Sequence, residues 1–183
     1  MTTIVIIAVV VLLIFWIVAI YNGMVKSRNT VDKEWRNVDV QLERRYALIP
    51  NLVETVKGYA KHERETLEQI TSYRSAAMSA TSVAQKAAAD SMLTSALAGL
   101  RVQLEAYPDL KANTNFLNLQ EELSSTENKI AFSRQLYNQV VTDYNNKIQI
   151  FPNTLFAGMF GFKERELFEA STPEVRTAPK VSF

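Results

Sequence analysis

Residues 4–20 read IVIIAVVVLLIFWIVAI, an apolar run without a charge, a proline or a glycine. As a helix it spans about 26 Å, and Thr3 and Tyr21 extend it to about the thickness of a bilayer's hydrocarbon core. A cleavable leader would begin with basic residues and end in small ones, whereas Met1, Thr2 and Thr3 precede this run and Tyr21, Asn22, Gly23 and Met24 follow it. A core helix would be shorter or amphipathic. The run therefore predicts a transmembrane anchor. Trp16 and Tyr21 fall on its C-terminal side, where amphipathic rings favour the lipid–water boundary. Lys26 and Arg28 follow, ahead of the first acid, Asp32. Basic residues beside a span tend to stay cytoplasmic. These four residues are the expected membrane-interface set of a single-pass protein in the cytoplasmic (inner) membrane, with its short N-terminus outside and its C-terminal domain in the cytoplasm. The absence of cysteine agrees with a reducing compartment.

The remaining residues, about 160, suit one domain with a real core. Twenty Lys and Arg balance nineteen Asp and Glu, so no global field draws nucleic acid. Ala, Leu, Glu, Gln, Lys and Arg dominate the middle, no run of period two stands out, and the expected fold is all-α. The first helix should continue out of the membrane with Val31, Trp35, Val38 and Leu42 on one face, a stripe that reaches Arg45 and Ile49. Pro50 is expected to end or kink it. Asn51 and Glu54 resemble a capping pair for a second helix carrying Leu52, Val56, Tyr59, Thr66, Ile70 and Tyr73. Ser82 with Gln85 is a capping box for a third, lined by Val83, Ala87, Leu93, Leu97, Leu100 and Leu104. Tyr107-Pro108-Asp109 stops that helix, and Asn113 or Thr114 can cap a fourth. In the fourth, Phe116, Leu119, Leu123, Thr126, Ile130, Ser133, Tyr137, Val140, Tyr144 and Ile148 step by threes and fours. Such a coiled-coil-like seam with short connections predicts an up-and-down antiparallel four-helix bundle. The expected division is a transmembrane anchor over 1–22, the bundle over 23–152, and a Phe-rich segment with an extended C-terminal tail over 153–183.

That topology returns the end of the fourth helix towards the membrane. Phe156, Met159, Phe160 and Phe162 then form a candidate interaction surface, against lipid, a neighbouring subunit or the chain's own bundle. Residues 171–183, with Pro173 and Pro179, read as the extended tail.

Converging catalytic groups are hard to find. His62-Glu63 starts like a zinc-protease helix, but position 66 is Thr where a second histidine is needed. With one histidine and no cysteine, zinc and di-iron sites lack ligands, and the five glycines are too scattered for a phosphate loop. Glu121, Glu122 and Glu127 read as a solvated helix face. No catalytic, cofactor or metal residue is predicted. Polar groups set into the seams are more informative. Arg44, Arg45, Glu127, Asn128, Arg134 and Asn138 form a candidate bundle polar network, in which Arg44 or Arg45 would pair with Glu121, Glu122 or Glu127 to fix helix register. Asn145 recurs on the same helix.

Several long motifs then point one way. DVQLERRYALIPNLVETVKGYAKHE over residues 39–63, EAYPDLKAN over 105–113, TENKIA over 126–131, Arg134 with Tyr137-Asn138, and Tyr144-Asn145 leading to Phe151-Pro152 closely resemble the LemA family, as does the terminal Val181-Ser-Phe183. The resemblance covers nearly the whole chain. It implies a bacterial single-pass membrane protein with a cytoplasmic four-helix bundle and supplies no enzymatic reaction. The expected function is a non-enzymatic membrane scaffold that forms a homo-oligomer or docks envelope proteins. A regulatory adaptor for a membrane protease or signalling protein is the alternative, and a hydrolase or metalloenzyme the third reading. The expected partners are the lipid bilayer, further copies of the chain and other membrane proteins.

Overall fold

The structure, a computed structural model, describes residues 1–60 and 62–169. The described chain is helical, without strands. Its elements are α1 (Thr2–Lys57), α2 (Arg64–Ser79), α3 (Val83–Gln103), a 3-10 turn (Leu104–Ala106), α4 (Pro108–Lys111), α5 (Thr114–Gln149) and α6 (Asn153–Ala157). The expected tail over 171–183 lies outside the described residues. Contacts divide the described chain into two compact units, Met1–Asn37 with Gln135–Glu166, and Val38–Arg134 with residues 167–169. Helices α1 and α5 contribute to both. Residues 153–166 thus group with the N-terminal residues.

Pro50 lies inside α1, which runs on for seven residues, so of the two expectations, an end or a kink, the end is corrected. Proline removes the N–H that would bond the carbonyl four residues back, leaving the Tyr46 oxygen without its helical donor. Arg74 of α2 supplies one, its Nε donating to that oxygen at 2.7 Å. Leu52, Val53 and Val56 beyond the proline are buried, so packing holds the last turns. Asn51 and Glu54 are consequently interior helical residues and cap nothing. The break falls instead after Lys57, with Gly58 in the turn. Tyr59 and Ala60 both donate to the Val56 carbonyl, and α2 starts at Arg64.

Elsewhere the local chemistry carries the ends. Gln85 N–H donates to Ser82 Oγ at 3.1 Å and Ser82 N–H to Gln85 Oε1 at 3.3 Å, closing the capping box of α3. Asn113 Oδ1 accepts from Phe116 N–H at 3.1 Å and caps α5. Met24, Val31, Val38, Leu42, Ile49 and Val56 are buried along α1, and Phe116, Thr126, Ile130, Tyr137, Tyr144 and Ile148 along α5. On α5 the core takes Val141 rather than the expected Val140, while Tyr137, Tyr144 and Ile148 are buried as expected.

Candidate functional site

In the unit of residues 1–37 and 135–166, the apolar helix acquires a collar of rings. Trp16 meets Phe156 edge-on at 6.2 Å between centroids, and Tyr21 meets Phe160 at 5.0 Å and Phe162 at 5.8 Å. Phe156 stacks on Phe160 at 6.4 Å, and the Arg28 guanidinium sits over Phe162 at 5.1 Å. The spacing makes this possible. Tyr21 and Arg28, seven residues apart, share a helix face, and Phe160, in the turn that follows α6, donates its backbone N–H to the carbonyl of Phe156 in α6 at 2.9 Å. The chain enters α6 through a cis bond between Phe151 and Pro152, and the turn after the helix closes at Gly161, whose φ of 71° favours glycine.

Of the expected surface residues, Phe162 is buried and belongs to the unit's core, while Met159 is 75% exposed. Leu155 of the same segment is 61% exposed, and Phe151, just before it and outside the expected surface, is 76% exposed. Lys26 is exposed too.

A strap over residues 163–166 was also missed. Tyr144 and Tyr137 hydroxyls donate to the Lys163 and Glu166 carbonyls at 2.9 and 2.8 Å. Asn145 makes a reciprocal pair with Arg165, its Nδ2 donating to the backbone carbonyl and its Oδ1 accepting from the backbone N–H, both at 2.9 Å. Arg165 in turn bonds Asp32 at 2.9 Å. Burial pushes the Tyr137 hydroxyl up to about 12 and raises that of Tyr144. The signal was present as two tyrosines seven residues apart and an asparagine beside one of them.

The polar network lies in the unit of residues 38–134. Arg44 pairs with Glu122 at 2.7 Å at the surface. Arg45 is buried, and its partner is Asp90 of α3 at 3.0 Å, with Thr94 Oγ accepting from the same nitrogen at 2.9 Å. The expected arginine–glutamate pairing is thus made by Arg44, while Arg45 takes Asp90, which sits in an Ala-rich stretch with little apolar periodicity to reveal it. Burial raises the Asp90 carboxyl, against the opposing pull of Arg45 and Arg134. Beside the pair, Lys86 bonds Asp39. Arg45 Nε, Tyr46 Oη and Gln41 Oε1 are buried without a hydrogen-bond partner among the described residues. A cavity of about 90 Å³ adjoins Arg45, lined by Leu52, Leu100, Leu104, Phe116 and Glu127.

Glu127 and Asn128 are exposed, Arg134 lies over the Phe168 ring at 4.8 Å, and Asn138, which belongs to the other unit, is half-buried. His62 is exposed, and Glu63 accepts from the Tyr107 hydroxyl at 3.3 Å. Among the described residues no three His, Cys, Asp or Glu side chains are placed to hold a metal ion.

A model of the LemA family matches residues 34–183. The chain belongs to the LemA family. It is 30% identical over 155 residues to Protein LemA of Metamycoplasma hominis, an overlap covering 84% of this chain and 70% of that protein. The family match takes in α6, the strap and the Arg45–Asp90 pair, whereas Trp16, Tyr21 and Arg28 lie before it. The N-terminal helix carrying those three is long and apolar enough to be a candidate membrane span.

Proposed function

We propose that this LemA family chain is a non-enzymatic, membrane-anchored scaffold. In this reading residues 23–152 form a four-helix bundle at the cytoplasmic face of the inner membrane, which self-assembles and docks envelope proteins. One observation carries it: Phe151, Leu155 and Met159 stand exposed on the segment that the ring collar fastens to the apolar helix. Exposed apolar side chains grouped in this way favour lipid or another protein over water. A homotypic contact there would join copies whose anchors already share a bilayer. The test is the mass of the full-length chain in mild detergent, beside that of L155S/M159S. Uniform multi-chain particles that dissociate in the variant are expected, and a wild-type monomer at every concentration overturns the reading.

The regulatory adaptor is favoured by a different surface. Phe132 is 69% exposed in a groove with Gln41, Asn128 and Lys129, a ring offered to a heterologous partner such as a membrane protease or signalling protein. Crosslinking in intact cells separates the two readings, since an adaptor gives a single heterologous adduct and a scaffold a ladder.

A further inference from the structure

The geometry points to a site for the phosphate of an anionic phospholipid headgroup, built by Lys26 and Lys147 on either side of Gly23. It deepens the membrane-anchored reading and rests on it. Lys147, from the last turns of α5, lies against α1 where α1 has no side chain: its Cε and Nζ are each 3.6 Å from the position a Cβ on Gly23 would take. Lys26 is three residues beyond Gly23, on the adjoining face of the same helix. The backbone carbonyl of Lys147 is fixed by Asn153 Nδ2 at 2.8 Å, so the start of α6 helps to hold that lysine's backbone in place.

Neither ammonium has an acidic partner among the described residues, although acids are near in sequence. Asp32 is engaged by Arg165 at 2.9 Å, Glu164 by Gln149 at 2.7 Å, and Asp143, one turn before Lys147, makes no ion pair with it. Arg28 adds a third cation about 7.5 Å along the axis from Gly23. Lys147 rests at Gly23 and Lys26 lies one turn beyond it, and two cations on neighbouring turns with no paired acid favour an anion there.

The depth identifies that anion. If Tyr21 stands at the aromatic boundary, Gly23 and Lys26 are about 3 to 8 Å further along the helix, at the level of lipid phosphates. Lysine ammoniums bind phosphate as point charges and need no forked geometry. The glycine leaves the space: alanine fits at ordinary contact distance, but a larger side chain would displace Lys147.

The chain has two tryptophans, so W35F leaves Trp16, about 10 Å from Gly23, as the reporter. Full-length W35F is reconstituted into vesicles in which phosphatidylglycerol or phosphatidylcholine carries brominated chains, and quenching of Trp16 is measured. Brominated phosphatidylglycerol should quench more strongly, with a relative affinity that falls about fivefold for each lysine removed in K26Q and K147Q, survives K147R, and weakens at high salt. Equal quenching by the two lipids, or a preference unchanged in K26Q/K147Q, overturns the site while leaving the anchor intact. No quenching by either lipid overturns the anchor itself.

Discussion

The two units close their structures with different chemistry. In the unit of residues 38–134 the polar contacts that bridge helices are mostly charged: Arg45 with Asp90, Arg44 with Glu122, Lys86 with Asp39, and Arg74 on the Tyr46 carbonyl. In the unit of residues 1–37 and 135–166 they are mostly rings and neutral donors: the collar around Trp16 and Tyr21, and the tyrosine and asparagine bonds to the strap. The difference teaches where each kind of contact is affordable. A charge is stable inside protein when an opposite charge is built beside it, whereas rings tolerate a boundary between hydrocarbon and water.

The charged side of the comparison breaks most easily. D90A leaves Arg45 buried without its counter-ion and should cost about 3–5 kcal/mol in denaturant unfolding of the detergent-solubilised chain. R45M/D90L, which removes both charges at similar volume, should recover most of that loss. A D90A cost under 1 kcal/mol would mean that the pair is hydrated and not structural.

R74A strips the donor from the Tyr46 carbonyl and should cost about 1–3 kcal/mol. In a P50A background position 50 regains its N–H, so the same substitution should cost about 1 kcal/mol less. Equal costs in both backgrounds would detach Arg74 from the proline.

The ring side should respond more gently. Y21A and F160A should each lose an edge contact worth about 0.5–1.5 kcal/mol beyond the area they bury, and the double variant should lose less than the sum. Strict additivity would show that the rings do not pair.

The smallest effect sharpens the strap by pH. The Tyr137 hydroxyl is raised to about 12 by burial, so the folded chain holds a proton that an unfolded tyrosine sheds near 10. The folded state binds more protons across that window, and stability is full below pH 10 and falls as pH rises towards 12. Y137F should flatten that fall in unfolding curves taken from pH 9.5 to 11.5.

Much of this was legible in order along the chain. The apolar run, the stripe through Val31, Val38 and Leu42, the Ser82–Gln85 box and the Asn113 cap are local patterns, set by side chains within a few positions of one another. Pro50 misled because its local rule is correct and was overridden: the donor for the freed carbonyl comes from residue 74. Asp90 stayed hidden for the same reason, since burial gives it its role and its own neighbours are alanines. The strap could not be placed because its partners are backbone carbonyls, which look alike in every sequence.

By itself, then, the sequence determined the helical class, the candidate span, the family and the starts of α3 and α5, because those follow from spacing and capping between near neighbours. Tertiary structure alone decided that α1 passes through Pro50, that Arg45 answers to Asp90, and that Lys147 comes to rest on Gly23. Each of these depends on groups 28 to 124 residues apart meeting within a few ångströms. A pairwise contact at that range has no periodicity in the chain to announce it.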